Sequence, residues 1–296
     1  MSIQVSKTPS DRIADIAIYC LLAFFGLLTL FPIYYVFIMS LTPMAEVVRN
    51  GGFVLWPETF TMEAYKVIFS SPVVPQALKI TVIITLLGTF LNLAVTMLLA
   101  YPLSKKYIPG RSVILMLIVF TMLFSGGLIP LYIVVKSLGL LDTIWSLVIP
   151  GLVSTFNLLI MKTYFENLPQ EVEEAACVDG CGELQTLLRI ILPLSMPIIA
   201  TMGLFYGVTH WNAYFSGIMY LSDRTLYPIQ VVLRNMIQSP AISQELQVMN
   251  PIVMQTLPPE TIKMATVTVA ILPVLLIYPF VQKYFIKGML IGAIKG

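Results

Sequence analysis

The residues that could do chemistry in this chain are gathered in one polar segment, residues 166–190, between two long apolar regions. Six of the chain's 15 acidic residues lie in it, namely Glu166, Glu171, Glu173, Glu174, Asp179 and Glu183. Cys177 and Cys181 lie among them, but a zinc site needs about four ligands and the whole chain has one histidine. We therefore interpret the two cysteines as small, reduced packing residues, and the segment as a charged surface rather than a metal site.

The local pattern of the polar segment predicts a short helix that ends at a glycine turn. Pro169 suits a first helical turn, and Asn167 is close enough to cap it. Glutamates at 171, 173 and 174 follow, where the helix dipole favours negative charge. Asp179 and Gly180 form a turn dipeptide, in which Gly180 is expected to take the left-handed conformation that ends the helix.

The predicted helix also has an apolar stripe, formed by Val172, Ala175 and Ala176 at helical spacing. The two alanines would allow another surface to approach closely. A second amphipathic segment follows, with apolar residues Leu184, Leu187, Leu188 and Ile191. From the residues alone, two interpretations remain open. The helix either enters the groove of a basic partner protein, or it is a connector packed on its own chain.

The sequence contains none of the common catalytic or nucleotide-binding motifs. It has no G-x-x-x-x-G-K-[ST], no G-x-S-x-G and no H-E-x-x-H. We therefore expect no catalytic residue, no bound metal and no cofactor, so that any ATP is bound by another protein. The net charge of +2 is too small to indicate binding to nucleic acid.

The regions around the polar segment are apolar enough to cross a membrane. The chain is 58% hydrophobic and 11% charged, whereas soluble domains are about a quarter charged. Six windows free of Asp, Glu, Lys and Arg reach the roughly 20 residues of a spanning helix. They predict an all-α membrane protein with a single domain over residues 1–296. The predicted spans are about 16–41, 80–103, 113–135, 143–161, 192–219 and 264–282.

The basic residues predict which side of the membrane the polar segment faces. The first apolar window is too long for the core of a signal peptide, so it counts as a span. Six spans put both termini on one side, together with the connections 102–112 and 162–190. Those regions hold ten of the 17 Lys and Arg residues, although they are shorter in total than the opposite loops. We therefore expect both termini and the polar segment to be cytoplasmic.

Two loops on the opposite side carry apolar residues at helical spacing, at 60–69 and 226–237. Each predicts a short helix at the outer surface. Such a helix either caps the bundle or forms a docking surface for an external partner. Many secondary carriers contain an internal repeat with broken helices. This sequence shows no such repeat.

The polar segment resembles the EAA motif of the membrane subunits of ATP-binding-cassette importers. The residues that carry this resemblance are Glu174, Ala175, Ala176, Asp179 and Gly180, followed by Leu192, Pro193 and Pro197. Trp211-Asn212, the YPLS sequence at 101–104 and the C-terminal residues 292–296 are similar to carbohydrate permeases of the LplC and YtcP branch. Cys181 and Leu187 depart from the family pattern, which usually has Ala and often has Phe there.

The resemblance implies the type I importer permease fold, with six transmembrane helices and a cytoplasmic coupling helix between helices four and five. It implies a bacterial cytoplasmic membrane location and a second, homologous permease in a heterodimer. It also implies a dimer of ATP-binding subunits, which hold the ATP and magnesium, and an extracellular solute-binding protein or lipoprotein. The residues that the resemblance assigns to coupling are Glu174, Ala175, Ala176, Asp179, Gly180 and Pro193.

Neutral polar residues in the predicted spans are the candidates for contact with a substrate. They are Asn92, Asn157, His210, Trp211 and Asn212. Such side chains suit a sugar, but they also form interhelical hydrogen bonds or, for Trp, anchors at the membrane interface. Gly203 and Gly207 form a small-xxx-small pair, which packs either against the second permease or within this chain.

The expected function is half of the translocation pathway of an ATP-driven carbohydrate importer, with an oligosaccharide as cargo. One alternative is the same machinery importing a peptide or another small solute. A stand-alone secondary carrier is a weaker alternative, because the predicted spans lack the Asp, Glu, Lys and Arg that ion-coupled carriers generally keep.

Overall fold

The computed structural model describes residues 9–238 and 259–293, and all regular secondary structure within these ranges is helical. Residues 294–296 of the C-terminal stretch noted above lie outside them. The α-helices are α1 Pro9–Ser40, α2 Met44–Arg49, α3 Glu63–Ser70, α4 Val73–Ser104, α5 Arg111–Leu123, α6 Leu128–Ser137, α7 Trp145–Val148, α8 Thr155–Glu166, α9 Gln170–Val178, α10 Glu183–Thr186, α11 Leu192–Leu194, α12 Met196–Trp211, α13 Phe215–Tyr220, α14 Ile229–Gln238 and α15 Pro259–Ala293. The predicted all-α fold is confirmed.

Among the described residues, three helices are long and apolar enough to cross a membrane on their own. They are Asp11–Ser40, Val73–Ser104 and Glu260–Pro279. Three further pairs of helices reach that length together but bend between their members, by 114° in α5–α6, by 53° around 151–155 and by 85° before α12. Counting each bent pair as one span gives up to six. Glycine or proline lies within or beside each bend, and these residues interrupt a helix without adding a charge.

The chain forms two compact units. The first contains the described residues 9–71 and 259–269, and the second contains 72–238 and 270–293. In the first unit the carboxylate of Glu46 is buried and accepts hydrogen bonds from the backbone nitrogen of Glu58, at 2.9 and 3.1 Å. This bond holds the loop between α2 and α3 on the buried residues Met39, Val47 and Val54.

The two predicted outer helices are present as α3 and α14, and each has buried apolar residues. In α3 these buried residues include Val67 and Ile68. In α14 the backbone nitrogen of Ile229 donates to Thr81 Oγ1 of α4 at 2.8 Å. These faces therefore support packing within the chain, as a cap, rather than an open docking surface.

The second unit is organised around α4, against which α8, α12 and α14 pack. A Cβ added to Gly203 would lie 3.5 Å from Leu93 Cδ1, and one added to Gly207 would lie 3.5 Å from Thr89 Oγ1. Both glycines of α12 therefore face α4 of the same chain. Of the two interpretations of this small-residue pair, the structure supports packing within the chain.

Candidate functional site

The helix predicted in the polar segment is α9, and it ends in a Schellman motif. Gly180 has a φ of +78°, its nitrogen donates to the carbonyl of Cys177 at 3.0 Å, and the nitrogen of Cys181 donates to the carbonyl of Ala176 at 2.9 Å. The predicted cap is wrong, because Asn167 ends the preceding helix α8, while Pro169 occupies the N-cap of α9 without a side-chain hydrogen bond.

The two faces of α9 differ in exposure. Glu174, Ala175 and Asp179 are exposed. Ala176 is only 2% exposed, because its small side chain packs on its own chain. The expectation that Ala176 admits a partner is therefore corrected: the two alanines lie on different faces, and only Ala175 is open to another protein.

Two carboxylates on the inner side of the polar segment contact the end of α4. Glu173 forms an ion pair with Lys105, whose ammonium also lies 4.3 Å from the ring centroid of Tyr101. Glu183 accepts hydrogen bonds from the hydroxyls of Tyr101, at 3.0 Å, and Tyr107, at 3.2 Å. A tyrosine hydroxyl is protonated at neutral pH, so Tyr107 is the donor, and slight burial and the hydrogen bond to Glu183 raise its pKa further.

A third carboxylate ties α8 to the start of α5. Glu166 forms ion pairs with Arg111 and, at 2.7 Å, with Lys162 one turn earlier in α8. The Nε of Arg111 donates to the carbonyl of Leu103 at 2.7 Å. The sequence analysis grouped these residues only by side of the membrane, since a charge pattern does not show which of several nearby lysines and arginines each carboxylate meets.

The second amphipathic stretch of the polar segment is irregular. Leu187–Ile191 forms a π-helical turn between α10 and α11. Leu187 and Ile191 are buried, whereas Leu184 and Leu188 are exposed, so half of the predicted apolar face packs on the chain. Pro193 lies in the exposed α11, immediately before the bend that leads into α12.

The second unit also contains an open cavity of about 840 Å³, lined by side chains that are apolar or neutral and polar. Three predicted pathway residues, Asn92, Asn157 and His210, line it. Trp211 and Asn212 do not line this cavity, and their contact with a substrate stays a prediction. Trp211 is buried and donates through Nε1 to the carbonyl of Ala270 at 3.1 Å, and Asn212 is the C-cap of α12.

Asn92 and His210 form a hydrogen-bonded network in the wall of the cavity. The Asn92 amide nitrogen donates to the carbonyls of Gly151, at 2.7 Å, and Leu152, at 3.0 Å. Its oxygen lies 2.8 Å from His210 Nε2. Because both amide hydrogens are used by carbonyls, the hydrogen of this last bond belongs to Nε2 of the histidine. Each of these side chains therefore joins helices and also borders the cavity.

Two residues that support this network were missed by the sequence analysis. A Cβ on Gly88 would lie 2.5 Å from His210 Nε2, so only glycine lets the ring pack on α4. The hydroxyl of Tyr206 bonds with Thr96 Oγ1 at 2.8 Å and accepts from the nitrogen of Ser154 at 3.2 Å. A glycine or tyrosine in an apolar window carries no signal that could have singled it out.

Comparison with known proteins places these features in one family. The sequence pattern described as "Binding-protein-dependent transport system inner membrane component" matches residues 4–291. Protein LplC of Bacillus subtilis is 44% identical over 292 residues, which cover 98% of this chain and 97% of that protein. The Bacillus subtilis polygalacturonan/rhamnogalacturonan transport system permease protein YtcP is 45% identical over 288 residues, or 97% of this chain and 99% of that protein.

One solved structure is similar over nearly the whole chain. It is a bacterial ABC transporter involved in the import of the acidic polysaccharide alginate, and its matching chain superposes with a TM-score of 0.87. The two chains are 33% identical, and the match covers 95% of this chain and 100% of the other.

Proposed function

Since the chain belongs to the family of binding-protein-dependent transport system inner membrane components, we propose that it forms half of the pathway of an ATP-driven saccharide importer. The family is one of transport permeases, and this multi-pass membrane protein is not by itself an enzyme. The proposed partners are a second homologous permease, a pair of ATP-binding subunits and an external solute-binding protein. The polar segment then faces the cytoplasm, where the ATP-binding subunits are.

The observation that carries this proposal is the shape of α9. Its outer face presents a carboxylate, Glu174, beside Ala175, whose methyl side chain lets another surface approach closely. The Schellman motif at Gly180 fixes the turn that follows and satisfies carbonyls at the helix end, so the partner need not bond them. A short helix with these properties fits a groove in a basic partner protein.

A saccharide cargo is supported by the cavity and by the printed names of the relatives. The cavity lining combines amide and hydroxyl side chains such as Asn157, Ser154 and Thr209 with the rings of Phe156 and Phe205. Neutral hydrogen-bonding groups suit sugar hydroxyls, and aromatic rings suit the apolar faces of a sugar ring. YtcP is named for the transport of polygalacturonan and rhamnogalacturonan, the solved transporter for the import of alginate, and the similar protein AraQ for the transport of arabinooligosaccharides.

The test is uptake by the complete importer, reconstituted in vesicles with its binding protein, over a panel of oligosaccharides. We expect ATP hydrolysis that is stimulated by the loaded binding protein and accompanied by uptake. In the Ala175→Arg variant, we expect assembly of the permease pair with loss of ATP-driven uptake, because the long charged side chain blocks the close approach. Uptake that continues without any ATP-binding subunit would contradict the proposal and indicate a stand-alone carrier.

A further inference from the structure

We propose that five residues, Tyr101, Lys105, Tyr107, Glu173 and Glu183, position the polar segment on α4 and transmit its movement to that helix. We call these five residues the anchor. The inference rests on the proposed function, in which an ATP-binding subunit moves α9. It adds a second route for that movement, through side-chain contacts rather than along the covalent chain.

The polar segment is not joined directly to α4 along the covalent chain. The polar segment continues from α8 and leads through α10 and α11 into α12. The helix α4 is far away in sequence, since Lys105 and Glu173 are 68 residues apart and Tyr101 and Glu183 are 82 apart. A displacement of α9 would therefore reach α8 and α12 directly. The anchor adds a polar route from the segment to α4, beside the apolar cluster that Leu187 shares with Ala100 and Leu103 of that helix.

The ion pair of the anchor is shielded from solvent. The Lys105 side chain is 11% exposed and that of Glu173 is 26% exposed, whereas the Arg49–Glu58 pair of the first unit is 59% and 68% exposed. Exposed pairs contribute little because water and salt screen them, and shielded pairs are screened much less. Breaking the Lys105–Glu173 pair would leave one charge shielded without its partner, which makes the contact costly to separate.

Tyr101 joins the two arms of the anchor. Its ring lies under the Lys105 ammonium, and its hydroxyl donates to Glu183, while the side chain itself is buried. Glu173 precedes the Asp179–Gly180 turn and Glu183 follows it. The polar segment is thus held to α4 on both sides of its turn, so it cannot rotate about one contact without breaking the other.

The same helix leads from the anchor to the cavity. Tyr101 and Asn92 lie on one uninterrupted helix, α4, nine residues apart, which corresponds to roughly 14 Å along its axis. Asn92 bonds the carbonyls of Gly151 and Leu152 and the ring of His210. A shift of α4 at the anchor therefore acts on the wall of the cavity through the Asn92 network.

The test exchanges the two charges of the Lys105–Glu173 pair in the complete importer. Lys105→Glu and Glu173→Lys alone place like charges together, and the double variant restores an ion pair in the opposite sense. The readouts are uptake per ATP hydrolysed and the amount of ATP-binding subunit that co-purifies. For each single variant we expect uptake per ATP to fall by about fivefold or more while the partner still co-purifies. For the double variant we expect most of the loss to be recovered.

Two further variants complete the design. Tyr107→Phe removes one hydroxyl from a side chain that is 72% exposed, so the fold is retained, and we expect about a twofold loss of uptake per ATP. Arg49→Met with Glu58→Gln removes an exposed ion pair outside the second unit, and we expect coupling to be unchanged.

The outcomes separate the two proposals. Normal uptake per ATP in both single charge variants, or no recovery in the double variant, overturns the anchor and leaves the proposed function intact. If the unaltered complex hydrolyses ATP without any uptake across the saccharide panel, the proposed function fails and the anchor fails with it. Recovery in the double variant, with co-purification of the ATP-binding subunit unchanged in all three charge variants, supports a positioning role, because a pair needed only for folding would change assembly together with coupling.

Discussion

The ring of His210 lies against the backbone of Gly88, where the first carbon of any side chain would collide with it. At the scale of single residues, such close contacts decide which substitutions the second unit tolerates. A Cβ added to either of the two α12 glycines in the small-xxx-small pair would lie at an ordinary van der Waals distance from its nearest neighbour. A Cβ added to Gly88 in α4 would lie much closer than that. A glycine's role here follows from its neighbour across the interface, which an apolar window does not reveal.

We predict that Gly88→Ala strongly reduces uptake, because its Cβ would push His210 away from Asn92 and leave buried polar groups without partners. The expected loss of stability is about 1–3 kcal/mol, and thermal unfolding in detergent measures it. Gly203→Ala is the matched control in α12, because its Cβ would meet Leu93 at 3.5 Å, and it should change the unfolding temperature little. Equal unfolding temperatures for the two variants would contradict the prediction.

We predict that Gly180→Ala weakens coupling and that Gly180→Pro abolishes it. The left-handed φ of +78° costs an alanine roughly 1 kcal/mol, and proline can neither adopt it nor donate to the carbonyl of Cys177. Co-purification of the ATP-binding subunit and uptake are the measurements. Gly182→Ala is the control, because Gly182 has a φ of −74° and open space around its Cβ. An effect of Gly182→Ala as large as that of Gly180→Ala would refute the backbone explanation.

At this scale, the sequence predicted the backbone conformation of the polar segment better than the direction in which its side chains point. The spacing of the turn placed the left-handed residue correctly at Gly180, because few other residues adopt that conformation. The same spacing put Ala175 and Ala176 on one stripe, yet the structure separates them. Two adjacent helical residues point about 100° apart, so their exposure depends on where the chain's own bundle lies.

At the scale of helices, the second unit depends on a few polar bonds between apolar surfaces. Asn92 and Tyr206 join α4 and α12 with the turn that precedes α8. The sequence predicted the apolar windows, because a window of uncharged residues is a direct signal of a spanning helix. It did not predict the bends at 124–127 and before α12, because glycine and proline in a window are compatible with either a straight or a broken helix.

We predict that Tyr206→Phe loosens the contact between α4 and α12. The variant leaves the nitrogen of Ser154 and the hydroxyl of Thr96 without this partner, at a cost of about 1 kcal/mol. For a unit of this size, the unfolding temperature should fall by about 2–4 °C. Tyr19→Phe in α1 is the control, because Tyr19 is an exposed side chain of that helix. An unchanged unfolding temperature for Tyr206→Phe would show that its two hydrogen bonds contribute little.

At the scale of the whole molecule, the sequence predicted the helical membrane class, which is confirmed, and an orientation that stays a prediction, but it did not predict the side-chain contacts inside the bundle. Composition and windows predicted a helical membrane protein, and the basic residues predicted which side the polar segment faces. The anchor was beyond sequence reasoning, since its partners lie 68 and 82 residues apart. Only the packing of α4 beside the polar segment brings them together.

We predict that the polar segment is reached from the cytoplasmic side only. A chain that keeps Cys177 alone, through Cys20→Ser and Cys181→Ala, should react with a membrane-impermeant maleimide in inverted vesicles and not in intact cells. Cys177 is exposed on α9, so reagent access is limited by the membrane. A cysteine-free chain with Ser222→Cys, an exposed position in a predicted outer loop, should show the opposite pattern. Labelling of Cys177 in intact cells would reverse the proposed orientation.

The bonds of Asn92 also bear on how the chain is made. The carbonyls it needs come about 60 residues later, and the ring of His210 comes 118 residues later. At synthesis rates of about 5–20 residues per second, α4 waits roughly 6–24 s for that histidine to be synthesised. During that interval an amide group is held in the bilayer by the apolar residues around it. The spacing between α4 and α12 therefore sets an order of assembly, in which the helix at the centre of the second unit is inserted early and its polar bonds are completed only after α12 has been made.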